Sequence, residues 1–171
     1  MNIQKPTKDE YPEFYQSYIE SVPDDVTQFL EKQWVEIKTF MANTSKSKLN
    51  YRYDIGKWTI AEVFGHIVEV EKVMGYRFLA FSRRDVNSIP GFNEDQYVSE
   101  SVSNRMKPEE LADWWYFERG ANLNLLKSIN EESLNFIGKA NELEIKTSAL
   151  PYILAGHAQH HVNILHERYG I

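Results

Sequence analysis

The sequence contains no cysteine, which excludes disulfide bonds, thiolate zinc sites and a catalytic cysteine together. It also lacks a long hydrophobic run, since no stretch approaches the roughly 20 apolar residues that a transmembrane helix needs. The N-terminal residues are polar and aromatic, without the apolar segment of a signal peptide. These absences predict a cytoplasmic protein that does not interact with a membrane.

Basic residues are too few and too scattered to form a nucleic-acid-binding surface. The chain has 19 lysines and arginines against 25 aspartates and glutamates, for a formal net charge of -6. An acidic surface repels phosphate backbones, so we expect no nucleic-acid partner. The length of 171 residues, of which 42% are hydrophobic, predicts a single globular domain over residues 1–171.

Four segments carry apolar residues at helical spacing, and they predict an all-α protein. The predicted helices span about residues 24–42, 59–83, 108–129 and 148–169. Asp24 is the predicted N-cap of the first helix, whereas Thr59 and Glu62 show the capping-box pattern at the start of the second. Four amphipathic helices in one small domain predict a four-helix bundle.

Two connections between the predicted helices carry further information. Residues 84–107 separate the second helix from the third, and a connection of this length permits a long crossover along the bundle. Residues 136–146 alternate between polar and apolar side chains at Leu143, Glu144 and Ile145, which indicates a short extended stretch.

Four of the five histidines lie on the last predicted helix. His157 and His161 are four residues apart within its apolar stripe, so their ring nitrogens can converge on one ion. His160 points to the edge of that stripe, and His166 points to solvent. His66, on the second predicted helix, is the natural third ligand, and a carboxylate of Glu69, Glu71 or Glu118 is the alternative. Three protein ligands with an open position are typical of a catalytic metal site.

Two interpretations of these histidines remain open at this point. Five histidines in a chain of this length produce an i, i+4 pair by chance roughly one time in ten, and such a pair can be inert and hydrogen-bonded. Imidazoles buried in an apolar stripe are costly unless their nitrogens have partners, and a metal would satisfy both rings. Imidazole and water ligands suit divalent zinc, nickel, iron or manganese.

Polar side chains also interrupt the apolar faces of the predicted helices, namely Gln33, Glu71, Glu118 and Asn122. They are either polar contacts that specify the bundle, or groups that orient the ligands and move protons. Glu118 is the candidate for this acid–base role. Arg77 follows His66 by about three helical turns, and it either binds an anionic substrate group or extends its charge to solvent.

Three segments resemble the DinB/YfiT-like superfamily in their order and spacing. They are GKWTIAEVFGHIVEVE at 56–71, IPGFNEDQYV at 89–98 and ALPYILAGHAQHH at 149–161. The resemblance covers nearly the whole chain from the first helix onward. It implies a four-helix bundle with up-down-down-up topology, in which His66, His157 and His161 bind a divalent metal and His160 does not.

The resemblance also implies a homodimer and a small-molecule substrate. Active members of the superfamily transfer or isomerise substrates with low-molecular-weight thiols such as bacillithiol or mycothiol, and some resemble hydrolases. The alternative is a non-catalytic, metal-binding stress-response bundle protein. One departure concerns the residue three positions after the first ligand, which is often aspartate in the superfamily and is Glu69 here.

Overall fold

The computed structural model describes residues 3–171 and contains four long helices within that range. These are α2 (Val26–Asn43), α3 (Ile60–Ser82), α5 (Pro108–Lys127) and α6 (Ala149–Tyr169), while α1 (Gln16–Ser21) and α4 (Glu94–Glu100) are short. Helix α2 packs against α5 and α6, and α3 packs against the same two helices. The predicted all-α four-helix bundle is therefore confirmed, whereas its up-down-down-up order and its single-domain organisation stay predictions.

The long helices begin and end within about two residues of the predicted limits, because their caps are encoded locally. The capping box at α3 is present: the Thr59 hydroxyl accepts from the Glu62 amide at 3.2 Å, and the Thr59 amide donates to the Glu62 carboxylate at 2.6 Å. The predicted N-cap of the first helix is wrong by one residue. Asp25, not Asp24, accepts from the amide of Gln28 at 3.0 Å.

The connection between α3 and α5 follows the side of α3 and contains α4, which the sequence analysis did not predict. Asn93 caps this short helix by accepting from the amide of Gln96 at 2.9 Å. Gly65 permits the close approach of the connection, because a Cβ at this position would overlap the side chain of Ser103. Gly65, the residue immediately before His66, therefore lets the connection pack directly against α3.

The predicted extended stretch is a hairpin in which β1 (Ile137–Ala140) pairs antiparallel with β2 (Leu143–Lys146). Its two turn residues, Asn141 and Glu142, have φ angles of 52° and 61°, which match a tight hairpin turn. The amide of Ile89 donates to the carbonyl of Lys139 at 2.9 Å. This bond ties the start of the crossover to the hairpin.

The polar N-terminal segment is folded over α6, although nothing in its sequence predicted this. Helix α1 packs directly on α6 at Gly156, where any Cβ would collide with the backbone carbonyl of Tyr18. The hydroxyl of Tyr152 lies 2.9 Å from the carbonyl oxygen of Ile3 and 2.7 Å from that of Asp24.

None of the helices in residues 3–171 combines the length and the hydropathy needed to cross a bilayer.

Candidate metal centre

The structure brings together the three histidines that the sequence analysis selected. His66 on α3 and His157 on α6 are buried, with 2% and 6% of their surface exposed, and their Nε2 atoms lie 3.1 Å apart. The ring of His161 is centred 4.7 Å from that of His66 and 4.6 Å from that of His157. One potential ligand nitrogen from each residue lies within 4.8 Å of the other two.

This arrangement fits a divalent cation. Imidazole nitrogens bind zinc at about 2.0–2.1 Å, which places neighbouring ligand atoms between about 2.8 Å for octahedral and about 3.4 Å for tetrahedral bond angles. The 3.1 Å separation between His66 and His157 falls in that range. A direct hydrogen bond satisfies only one nitrogen of each of two rings, whereas a shared cation gives a partner to all three imidazoles.

Burial keeps the three imidazoles in the neutral form that metal ligation requires. Burial lowers the pKa of His66 to about 4, and the nearby Asp95 opposes this shift. Burial, followed by repulsion from His66 and His160, lowers the pKa of His161 to about 2. Burial, reinforced by the charges of neighbouring groups, holds the pKa of His157 well below its usual value.

These lowered pKa values predict that the metal-free protein loses stability between pH 7 and pH 5. Below pH 6.5 the unfolded chain takes up protons on its histidines, whereas the folded chain does not until the pH approaches the lowered pKa, so acid favours unfolding. One such histidine accounts for about 2 kcal/mol at pH 5. Urea denaturation in the presence of a chelator at both pH values measures the loss. The His66→Gln variant should lose about 2 kcal/mol less than the wild type, and equal losses would contradict the expectation.

Two aromatic side chains flank the histidines, and neither was identified as part of the site from the sequence. The ring of Trp58 is centred 4.7 Å from that of His66, and the ring of Tyr18 lies edge-on to His157 at 5.7 Å. No pattern in the sequence indicates Tyr18, because its position beside His157 depends on α1 folding back on α6. Trp58 directly precedes the predicted helix cap Thr59, but this place in the sequence does not indicate contact with the histidine cluster.

Three of the four polar residues that interrupt the helix faces belong to a buried network. Its centre is Arg119, which is fully buried and donates to both carboxylate oxygens of Glu71, at 2.6 and 2.9 Å. Arg119 also donates to Gln33 at 3.1 Å, while Asn122 donates to Glu71 at 3.0 Å. This geometry supports the interpretation of these residues as contacts that specify the bundle. The sequence analysis did not identify Arg119.

The remaining candidates lie at the margins of the histidine cluster or away from it. Glu118 forms an ion pair with Lys72 at 3.0 Å, and no hydrogen bond joins it to a histidine within the described part of the chain. Its acid–base role stays a prediction without a supporting contact. Glu69 has one buried carboxylate oxygen that lacks a hydrogen-bond partner. His160 is exposed and packs against Tyr18, with ring centroids 5.3 Å apart.

Two cavities open beside the histidine cluster. One, of about 320 Å³, is lined by His157 together with Tyr15, Tyr18 and Arg77. The other, of about 380 Å³, is lined by His161, Trp58 and Asp95. A small molecule therefore has room to approach the imidazoles.

Comparison with known proteins identifies the family. A family model described as the DinB superfamily matches residues 30–165, a range that includes all three histidines. The chain belongs to the DinB superfamily. This confirms the resemblance that the three sequence segments indicated. No curated protein matches the sequence.

Among solved structures, this DinB-superfamily chain is similar to YfiT from Bacillus subtilis, with a TM-score of 0.68 and 20% sequence identity. The match covers 88% of this chain and 91% of YfiT. YfiT is described as a probable metal-dependent hydrolase with an unusual four-helix bundle topology. At this identity the similarity shows the fold that the two proteins share.

Proposed function

We propose that the chain is a divalent-metal-dependent enzyme that acts on a small molecule, with His66, His157 and His161 as the metal ligands. The observation that carries the proposal is the convergence of three imidazoles, from two helices, beside open cavities. A structural zinc site normally has four protein ligands. In residues 3–171, no fourth histidine or carboxylate joins this cluster.

The chain's own residues supply the environment that such chemistry needs. When bound, a divalent cation lowers the pKa of a bound water or thiol and polarises a substrate oxygen. The protein holds the three imidazoles neutral by burial, and the buried packing around α3 and α6 fixes their positions. Trp58 and Tyr18 cover the rings of His66 and His157 and limit the access of water.

The reaction class that we propose is attack on a small electrophile, either by water in hydrolysis or by a low-molecular-weight thiol such as bacillithiol in transfer. Hydrolysis is supported by the fold shared with YfiT, a probable metal-dependent hydrolase. Thiol transfer is the second candidate, and it is supported by membership of the DinB superfamily, whose active members use low-molecular-weight thiols. Because the chain has no cysteine of its own, a sulfur nucleophile must be supplied as a co-substrate.

The proposal is tested with protein purified with its native metal. Elemental analysis should find about one zinc, nickel, iron or manganese ion per chain, and that metal should then be used throughout. Turnover is measured with 4-nitrophenyl acetate for hydrolysis, and with bacillithiol plus 1-chloro-2,4-dinitrobenzene for transfer. His161→Gln should abolish turnover, whereas the surface variant His166→Gln should retain it.

The alternative is a non-catalytic, metal-binding stress-response protein, and the same experiment separates it from an enzyme. Metal at full occupancy without turnover above the His161→Gln background would support this alternative. Absence of bound metal, together with no uptake on titration, would contradict both. The homodimer and the cytoplasmic location implied by the sequence stay predictions.

A further inference from the structure

Arg77 is a buried cation without a buried anion. Only 3% of its surface is exposed, so the interpretation of this residue as a surface arginine is wrong. Its Nε has no hydrogen-bond partner, and none of the ion pairs within the described residues involves it. Burying a charge that lacks a partner is strongly unfavourable. A ligand that supplies the partner would offset that cost.

The contacts that Arg77 does make are weak. One terminal nitrogen, Nη1, lies 3.6 Å from the sulfur of Met74, and the other, Nη2, lies 3.5 Å from the carbonyl oxygen of Pro90. The 3.5 Å distance exceeds the usual range for an N–H···O bond, and a thioether sulfur is a weak acceptor. The edge of the guanidinium formed by Nε and Nη2 therefore lacks a strong acceptor, since Nε has no partner and Nη2 has only the distant carbonyl of Pro90.

Arg119 provides a comparison within the same bundle, because it is a buried arginine that is paired with a carboxylate. It is as deeply buried as Arg77, and its Nε and Nη2 donate to the two oxygens of the Glu71 carboxylate at 2.6 and 2.9 Å. This side-on, bidentate pairing is the geometry that arginine and carboxylates prefer. Arg77 offers the same edge but has no such carboxylate.

Arg77 lines the 320 Å³ cavity that also reaches the His157 side of the histidine cluster. The rest of the cavity wall includes the apolar and aromatic side chains of Tyr15, Val70, Met74 and Ile153. The charge of Arg77 and a hydrogen bond from it to the Tyr15 hydroxyl both oppose the burial that raises the pKa of that hydroxyl, so Arg77 has a neutral partner here but no anionic one. The cavity thus combines an organic surface with one buried cation.

We propose that Arg77 binds the carboxylate of an organic acid whose reacting end lies at the histidine cluster. This inference rests on the proposed function, because it names the class of its substrate. Arg77 follows His66 by about 16 Å along α3. The acid is therefore an extended molecule, with several bonds between its carboxylate and its reacting atom.

The charge around the cavity favours a monoanion over a phosphate group. Arg77 is the only lysine or arginine in the described lining of this cavity, and the acidic side chain of Glu94 also lines it. A dianionic group would meet repulsion from Glu94 with a single cation to balance it. A carboxylate carries one charge and fits the two donors of the edge formed by Nε and Nη2.

The test uses hexanoate as the probe and hexanamide as its neutral counterpart, with binding measured in every variant by NMR titration of the backbone amide signals. Metal-free wild-type protein should bind hexanoate at least ten times more tightly than hexanamide. Arg77→Met should remove this preference, and Arg77→Lys should weaken it, since lysine keeps the charge without the bidentate edge. The exposed control Arg83→Met should bind hexanoate like the wild type.

A folding defect would not explain a loss of binding in Arg77→Met. This change removes an unpaired buried charge and should leave the urea midpoint unchanged or raised. Equal binding of hexanoate and hexanamide by the wild type, or no binding of either, overturns the proposal. So does tight hexanoate binding by Arg77→Met. The titration needs no metal, so the two proposals can fail separately. A protein that binds carboxylates but takes up no metal would contradict the proposed function and not this inference. A metal-loaded protein that ignores carboxylates would sink this inference alone.

Discussion

Arg119→Met is expected to lower the free energy of unfolding by about 3–5 kcal/mol, because it leaves the Glu71 carboxylate buried without its partner. Arg119 is fully buried, and the side chain of Glu71 is 1% exposed, so water cannot replace the lost hydrogen bonds. Methionine retains much of the arginine's volume and its unbranched shape, which limits the cost of a cavity. Urea denaturation at pH 7 measures the loss.

A matched control comes from the ion pair between Lys72 and Glu118, which joins the same two helices at their surface with a distance of 3.0 Å. Lys72→Met should change the free energy of unfolding by less than about 1 kcal/mol, because the lysine is exposed and solvent screens its interaction with Glu118. The double variant Glu71→Gln/Arg119→Met should recover part of the loss, since no charge then remains buried. Equal effects of Arg119→Met and Lys72→Met would contradict the assignment of this network.

The buried network links the stability of the bundle to the position of the histidines. Gln33 accepts from Arg119 and donates to the carbonyl of Ala155 at 3.0 Å. Ala155 lies two residues before His157 on α6, and Glu71 lies one turn and a half after His66 on α3. The network therefore fixes the two helices that carry His66 and His157 relative to each other, and its polar groups fit together in one arrangement.

Local signals explain why the long helices and two of the three histidines could be predicted from the sequence. The Thr59–Glu62 capping box acts within four residues, and the four-residue spacing of His157 and His161 determines that both lie on one face of a helix. The choice of His66 over a carboxylate also used the resemblance to the DinB/YfiT-like superfamily, because the packing of two amphipathic helices left both open. Short-range rules therefore explain the prediction of the long helices and of the histidine pair on α6.

The remaining features depend on which segments meet in space, and short-range rules do not determine that. Arg119 occurs in an ordinary charged stretch of α5, and only the position of Glu71 on α3 makes its burial favourable. The burial of Arg77 depends on the crossover that carries Pro90 and on the hairpin. Tyr18 reaches His157 only because Gly156 lets α1 approach α6. Arg77 and Tyr18 line the cavity beside His157, so the cavity was harder to predict from the sequence than the histidine cluster.

His157→Gln is expected to weaken the binding of zinc at least 100-fold. Removing groups that merely orient a ligand already costs 10- to 100-fold in metal affinity, and this change removes a ligand. His157 is buried, its Nε2 atom lies 3.1 Å from that of His66, and the ring of Tyr18 packs edge-on against its imidazole. No neighbouring side chain is placed to substitute for it among residues 3–171. Competition with a chromophoric chelator measures the affinity.

The adjacent pair His160 and His161 supplies an internal control for this loss. His160→Gln should bind zinc like the wild type because its ring lies outside the cluster, whereas His161→Gln should behave like His157→Gln. Thermal denaturation provides an independent readout, since zinc at 100 times its dissociation constant stabilises the folded wild type by about 2.7 kcal/mol. This zinc-dependent stabilisation should disappear in both ligand variants and persist in His160→Gln. A loss of affinity in His160→Gln as large as in its neighbour would place the ion elsewhere on α6.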